Sequence, residues 1–108
     1  MRTLDVYYNE TKAGVLSEIN PGDGYTFKYE PEYISSGSPP ISATLPKQED
    51  TFESDSLFPF FSNMIPEGAN RGVICRTLRI DEKDFFGILS SMAGKDFIGA
   101  VNIKKIRN

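Results

Sequence analysis

The sequence contains no histidine, no tryptophan and a single cysteine, Cys75. The missing histidine removes the usual general base, every Ser-His-Asp or Cys-His arrangement and most zinc sites. One cysteine cannot close an internal disulfide. No apolar run approaches the roughly 18 residues that span a bilayer. Basic charge is scarce too: 12 Lys and Arg stand against 15 Asp and Glu, giving a net charge of −3. Non-specific nucleic-acid binding needs a basic surface to displace counterions, so this balance opposes it. The first ten residues place Asp5 and alternating polar residues where a signal peptide needs an apolar block, and the chain is expected to be cytoplasmic.

What remains is an ordinary globular composition, 39% hydrophobic and 25% charged over 108 residues. That length fits one domain, residues 1–108, able to bury about two-thirds of its unfolded surface in a single core. Residues 3–9 alternate, with Leu4, Val6 and Tyr8 on one face, the period-2 pattern of a half-buried strand. Residues 13–20 form a weaker strand, with Ala13, Val15, Ser17 and Ile19 on one face and Gly14, Leu16, Glu18 and Asn20 on the other. Asn20-Pro21-Gly22-Asp23 is a turn of type II character, and Tyr25, Phe27 and Tyr29 then alternate with Thr26, Lys28 and Glu30. The three aromatics could stack on bases; without a basic groove, core packing is the better reading. Residues 31–40 read as a break, 41–45 as a short strand and 47–54 as an exposed loop. The short connections in the first half require antiparallel pairing.

From residue 56 the period becomes helical. Leu57, Phe58, Phe60, Phe61, Met64 and Ile65 recur at helix spacing, with Pro59 in the first turn and the cap at Asp55 or Ser56. Pro66 ends that helix and opens a second, which runs to about Leu78. A third is expected to be capped by Asp81, with Phe85, Leu89 and Met92 on its stripe, Phe86 broadening it, and Gly94 as its stop. Residues 97–103 close the sheet as a last strand, and the basic tail after it suggests a domain continued by another chain or domain. The expected fold is α+β: a small curved antiparallel sheet of about five strands, packed against two or three short helices in the C-terminal half.

Several local patterns have a plain structural explanation. Asp84-Phe85-Phe86-Gly87 has one residue too many for a kinase Asp-Phe-Gly, and Ala100-Val101-Asn102-Ile103-Lys104 follows no Gly-rich loop. Arg71, Arg76 and Arg79 could serve a helix-turn-helix, but Asp81, Glu82 and Asp84 adjoin them. Glu67 and Asp96 could pair as carboxylates, although nothing in their spacing requires it. Glu67 and Arg71 are an i,i+4 pair of favourable orientation. Cys75 is most simply a small core residue. These readings give no catalytic residue, cofactor or metal.

Four blocks in order carry a resemblance: Pro40-Ile41-Ser42-Ala43-Thr44-Leu45-Pro46; Phe61 to Arg71 around Ile65-Pro66-Glu67-Gly68; Asp81 to Leu89; and Gly94-Lys95-Asp96 with Gly99-Ala100-Val101. Together they cover nearly the whole chain, which resembles the N-terminal subdomain of the HipA toxin kinases. The resemblance implies a non-catalytic protein that binds and regulates, by neutralising, a separately encoded HipA-like serine/threonine kinase core in a bacterial toxin–antitoxin system. It implies a helix-turn-helix DNA-binding antitoxin as a further component, and neither direct nucleic-acid nor membrane contact. The chain stops where the kinase core of that family would begin. Candidate partner contacts are Pro66, Glu67, Gly68 and Arg71, because a break between helices offers backbone groups and a charge pair. The rival reading makes this motif a packing device for the two helices. Rival functions are the N-terminal fragment of a longer HipA-type kinase, a small carboxylate-based enzyme and a nucleic-acid-binding module.

Overall fold

A computed structural model describes residues 2–65, 67–93 and 101–105, the Lys105 side chain excepted. Pro66, Gly94, residues 95 and 96, and residues 97–100 of the expected closing strand lie outside the described residues. Strands β1 (Arg2–Tyr8), β2 (Thr11–Asn20) and β3 (Asp23–Tyr29) form consecutive hairpins. A short helix α1 (Pro31–Ser35) follows, then β4 (Phe52–Ser54), helices α2 (Pro59–Ser62), α3 (Gly68–Leu78) and α4 (Phe85–Ser91), and β5 (Val101–Lys105). The sheet is open and wholly antiparallel in the order β4-β3-β2-β1-β5. The α+β class and the five-stranded sheet agree with the sequence.

The alternation in the sequence becomes rows across the sheet. Leu4 pairs with Leu16, Leu16 with Phe27, and Phe27 with Phe52. In the next row Ile103 pairs with Val6, Val6 with Gly14 and Gly14 with Tyr29. Leu4, Val6, Leu16, Phe27, Tyr29 and Ile103 are all buried. Helices cover this face: Tyr29 stacks on Tyr33 of α1 at 5.8 Å between ring centroids, and Phe27 meets Phe61 of α2 at 5.7 Å. The aromatic triad of β3 is therefore core. Gly14 has a steric reason to be glycine, since a Cβ there would lie 2.8 Å from Phe27 Cζ and collide with the Lys28 carbonyl. A bulge between Val6 and Tyr7 leaves Ala13 unpaired and buries it beside Gly14. That bulge adds Ala13 to the core beside Gly14 and Leu16, while Val15 is half-buried and Ile19 exposed on the other face.

The structure corrects several sequence expectations. Pro31 opens α1 instead of breaking the chain, since proline is at home in a helix's first turn. Residues 41–45 form a turn closed by one bridge, Ser42 to Leu45, with no strand ladder. The Ser42 hydroxyl accepts from the Thr44 N–H at 3.2 Å, which competes with extended pairing. Ile41 and Leu45 are still buried, because the Tyr29 hydroxyl donates to the Leu45 carbonyl and accepts from the Ile41 N–H. Part of the expected loop 47–54 is edge strand β4, half-burying Phe52 against Phe27 and exposing Glu53. Helix α2 is shorter than its apolar period, with Phe58 as cap and Pro59 first, not Asp55 or Ser56. Asp84, not Asp81, caps α4, and its side chain accepts from the Gly87 N–H at 3.0 Å. Asp81 instead accepts from the Lys83 N–H at 2.8 Å, closing the turn before the helix. Leu89 and Phe86 are buried as the stripe requires, joined by Ile88, while Phe85 is exposed instead.

Candidate functional site

Helix α3 carries the residues singled out for partner contact. Glu67 is its N-cap in extended backbone, exposed and without a side-chain capping bond. Gly68 follows at φ 62° and is also exposed. Arg71 is half-buried, its guanidinium 5.4 Å from the centre of the Phe85 ring at the start of α4. The chain thus brings Arg71 onto α4 and leaves Glu67 and Gly68 at the open end of α3. Pro66 lies outside the described residues. The helix ends at Leu78 as its sequence predicts, with Arg79 in the left-handed region and the Ile80 N–H returning to the Cys75 carbonyl at 2.9 Å.

Among the residues of α3, Cys75 alone is buried. Burial pushes its thiol pKa up, which keeps it protonated. Val73 is 51% exposed and Leu78 is 47% exposed, with Phe85 of α4 at 39%. An exposed apolar side chain is unremarkable singly; here three belong to two consecutive helices linked by the Arg71–Phe85 contact.

Away from α3 the fold holds a polar clamp that sequence reasoning missed. Glu18 is 2% exposed on the core face of β2. Its Oε1 accepts from Arg2 Nε at 2.8 Å and Nη2 at 2.5 Å. Its Oε2 accepts from the Tyr25 hydroxyl at 3.1 Å and the Gly22 N–H at 3.2 Å. The other side of the Arg2 fork donates to Asp84 at 2.7 and 3.2 Å, and its guanidinium lies 5.1 Å from the Phe86 ring centre. The Arg2 hydrogen bonds hold the Asp84 carboxyl below its ordinary pKa, and burial, reinforced by Glu18, pushes the Tyr25 phenol up to about 12. A carboxylate this enclosed, with both oxygens already bonded, is a structural counter-charge. The signal was present in the alternation, which put Glu18 on the face of Leu16. A second network on the opposite face sets Lys12 Nζ at 3.2 Å from Asp5 and 3.3 Å from Glu30.

Among the described residues no cluster of His, Cys, Asp or Glu could hold a metal ion, and no helix is long and apolar enough to cross a membrane.

This architecture has relatives. Residues 4–104 match the HipA N-terminal domain family. The chain is 37% identical over 92 residues to an uncharacterized protein of Haemophilus influenzae, covering 85% of this chain and 81% of that one. It is 28% identical over 104 residues to a Sinorhizobium fredii protein named Putative kinase Y4mE, covering 95% of this chain but 24% of that protein. A solved structure titled the N-terminal domain of HipA toxin superposes with a TM-score of 0.73 and 29% identity, covering 100% of this chain and 95% of that one. The chain therefore belongs to the family of HipA N-terminal domains.

Proposed function

We propose that this chain is a non-catalytic cytoplasmic protein that binds a separately encoded HipA-like serine/threonine kinase and neutralises it within a bacterial toxin–antitoxin system. The observation that carries the reading is the pairing of two matches. The chain aligns along most of a short Haemophilus influenzae relative, and along about a quarter of a much longer protein named as a kinase. A domain that is one part of a long chain in one relative and nearly all of a short chain in another is suited to dock on the missing part in trans. Control of the kinase then requires that the chain bind its competent and incompetent states with different affinity. Pro66, Glu67, Gly68 and Arg71 are contact candidates, and a DNA-binding helix-turn-helix antitoxin is a further partner of the assembly.

The test is a phosphorylation assay of the product of the adjacent downstream gene, with the purified chain titrated in. Stoichiometric loss of phosphoryl transfer supports neutralisation, and an unchanged rate at saturating chain refutes it. Glu67→Ala combined with Arg71→Ala separates contact from packing: retained affinity with lowered thermal stability makes the motif structural. A second reading draws on the 24% coverage of the longer relative: the domain is then the N-terminal part of a longer HipA-type kinase. An open reading frame continuing past Asn108 into a kinase core would decide for it.

A further inference from the structure

Residues 36–51 connect α1 to β4 with no helix or strand ladder of their own. A loop of that length without regular structure is uncommon in a compact domain. Among the described residues no main-chain pairing joins 37–51 to the sheet, and their bridge from Ser42 to Leu45 is internal. Side chains pin the segment instead. From β3, the Tyr29 hydroxyl accepts from the Ile41 N–H at 3.1 Å and donates to the Leu45 carbonyl. From α1, the Tyr33 hydroxyl donates to the Pro39 carbonyl. Within the segment, Lys47 Nζ donates to the Ser36 carbonyl at 2.8 Å and lies 5.7 Å from the centre of the Tyr33 ring. Only Ile41 and Leu45 of the segment are buried. A groove of about 240 Å³, lined by Lys28, Tyr29, Pro31, Ile34, Ser35 and Glu49, leaves its returning limb loosely packed on α1 and β3. A region with few buried apolar side chains and few main-chain bonds opens at lower free energy than the whole domain.

The segment lies over an incomplete part of the sheet. Strand β4 pairs with β3 only from Tyr25 to Phe27, so Lys28 and Tyr29 have no ladder partner on that side. The Glu30 N–H bonds the Ala13 carbonyl, and antiparallel alternation then turns the main-chain N–H and C=O of Tyr29 away from β2, to the side of β4 and the segment. We infer that residues 36–51 are a strap that opens as one unit, hinged at Ser36-Gly37 and at Phe52, when the Tyr29, Tyr33 and Lys47 bonds release together. Opening bares the stacked Tyr29 and Tyr33 rings and the unpaired edge of β3, and it leaves the five-stranded sheet and its Glu18 clamp intact.

Amide hydrogen exchange on the full chain tests this at Leu45. Its N–H donates to the Ser42 carbonyl at 3.1 Å, inside the strap, and to none of the three pinning side chains. In wild type this amide should exchange about 100-fold or more faster than the paired amides of β2, with a smaller denaturant dependence because opening exposes less surface than unfolding. Lys47→Met keeps the side-chain length but cannot bond the Ser36 carbonyl; Tyr29→Phe keeps the ring but not the hydroxyl. Each should speed Leu45 exchange roughly fivefold or more. Arg2→Met should do the reverse, speeding the β2 amides about tenfold or more and leaving Leu45 unchanged, since the clamp stays closed when the strap opens. Leu45 exchanging at the β2 rate with the β2 denaturant slope means that the segment releases only with the whole domain, and overturns the inference. A Leu45 rate that Lys47→Met leaves unchanged also overturns it, because exchange is then a fluctuation of the Ser42–Leu45 turn alone. Should Tyr29→Phe fold poorly, Lys47→Met decides by itself, its side chain lying outside the core.

Discussion

Glu18 brings a charge into the core, and three neighbours make that tolerable. Arg2 supplies the opposite charge, while Tyr25 and Gly22 donate to the remaining oxygen. Removing Arg2 leaves the carboxylate enclosed and unpaired, so Arg2→Met should cost roughly 2–3 kcal/mol by urea denaturation. A loss below about 0.5 kcal/mol, the size of a neutral surface change, would show that water replaces the guanidinium. Asp84 lets the same clamp be read by pH. Its folded pKa is depressed, so its contribution is present above the ordinary carboxylate range near about 4 and is lost as pH falls through the folded value. Asp84→Asn keeps a competent helix cap but not the charge. Its melting temperature should therefore start lower at neutral pH and converge on wild type as pH falls below about 4. Curves that stay parallel over that range would contradict the assignment. Tyr25 works in the other direction: its raised pKa makes its contribution complete below about 10, and this is lost as pH climbs through about 12.

Strands were easier to read from the sequence than helices, for a physical reason. A half-buried strand writes its burial every second residue, and Leu4, Val6, Phe27 and Tyr29 are buried where that period put them. The bulge beside Gly14 interrupts the period, since an unpaired residue reverses the faces on either side of it. Gly14→Ala should cost at least about 2 kcal/mol, since Phe27 and the Lys28 carbonyl already occupy the space; an unaffected denaturation midpoint would mean the β2–β3 pairing can open there. The helix errors at α2 and α4 arose from caps. Asp55, Ser56 and Asp81 have good capping chemistry, but Phe58 and Asp84 hold those positions. Burial of Leu57 and Phe58, and the clamp from Arg2, outweigh the local preference. Edge strand β4 was hidden because Glu53 and its polar neighbours resemble a loop, and its pairing depends on a remote strand. In α3, Gly72→Ala should raise stability by roughly 0.5–1 kcal/mol. The new methyl would meet only the end of the Glu82 side chain, at 3.4 Å. A loss of stability would show that α3 packs more tightly than its exposure indicates.

At the scale of the molecule, the sheet and its Glu18 clamp form a firm body, and α3 stands on that body with most of its surface uncovered. The sequence carried the order of the blocks that identify the family, and it carried the Glu67–Arg71 segment. It did not show the clamp, whose members are up to 82 positions apart, nor the exposure of Val73 and Phe85, which depends on how each helix is rotated. The most direct test is co-expression with the product of the adjacent downstream gene, followed by size-exclusion chromatography with light scattering. The account predicts a stable peak whose mass is that of the kinase plus one 12.1 kDa chain. A 12.1 kDa species eluting apart from a folded, active kinase would contradict it.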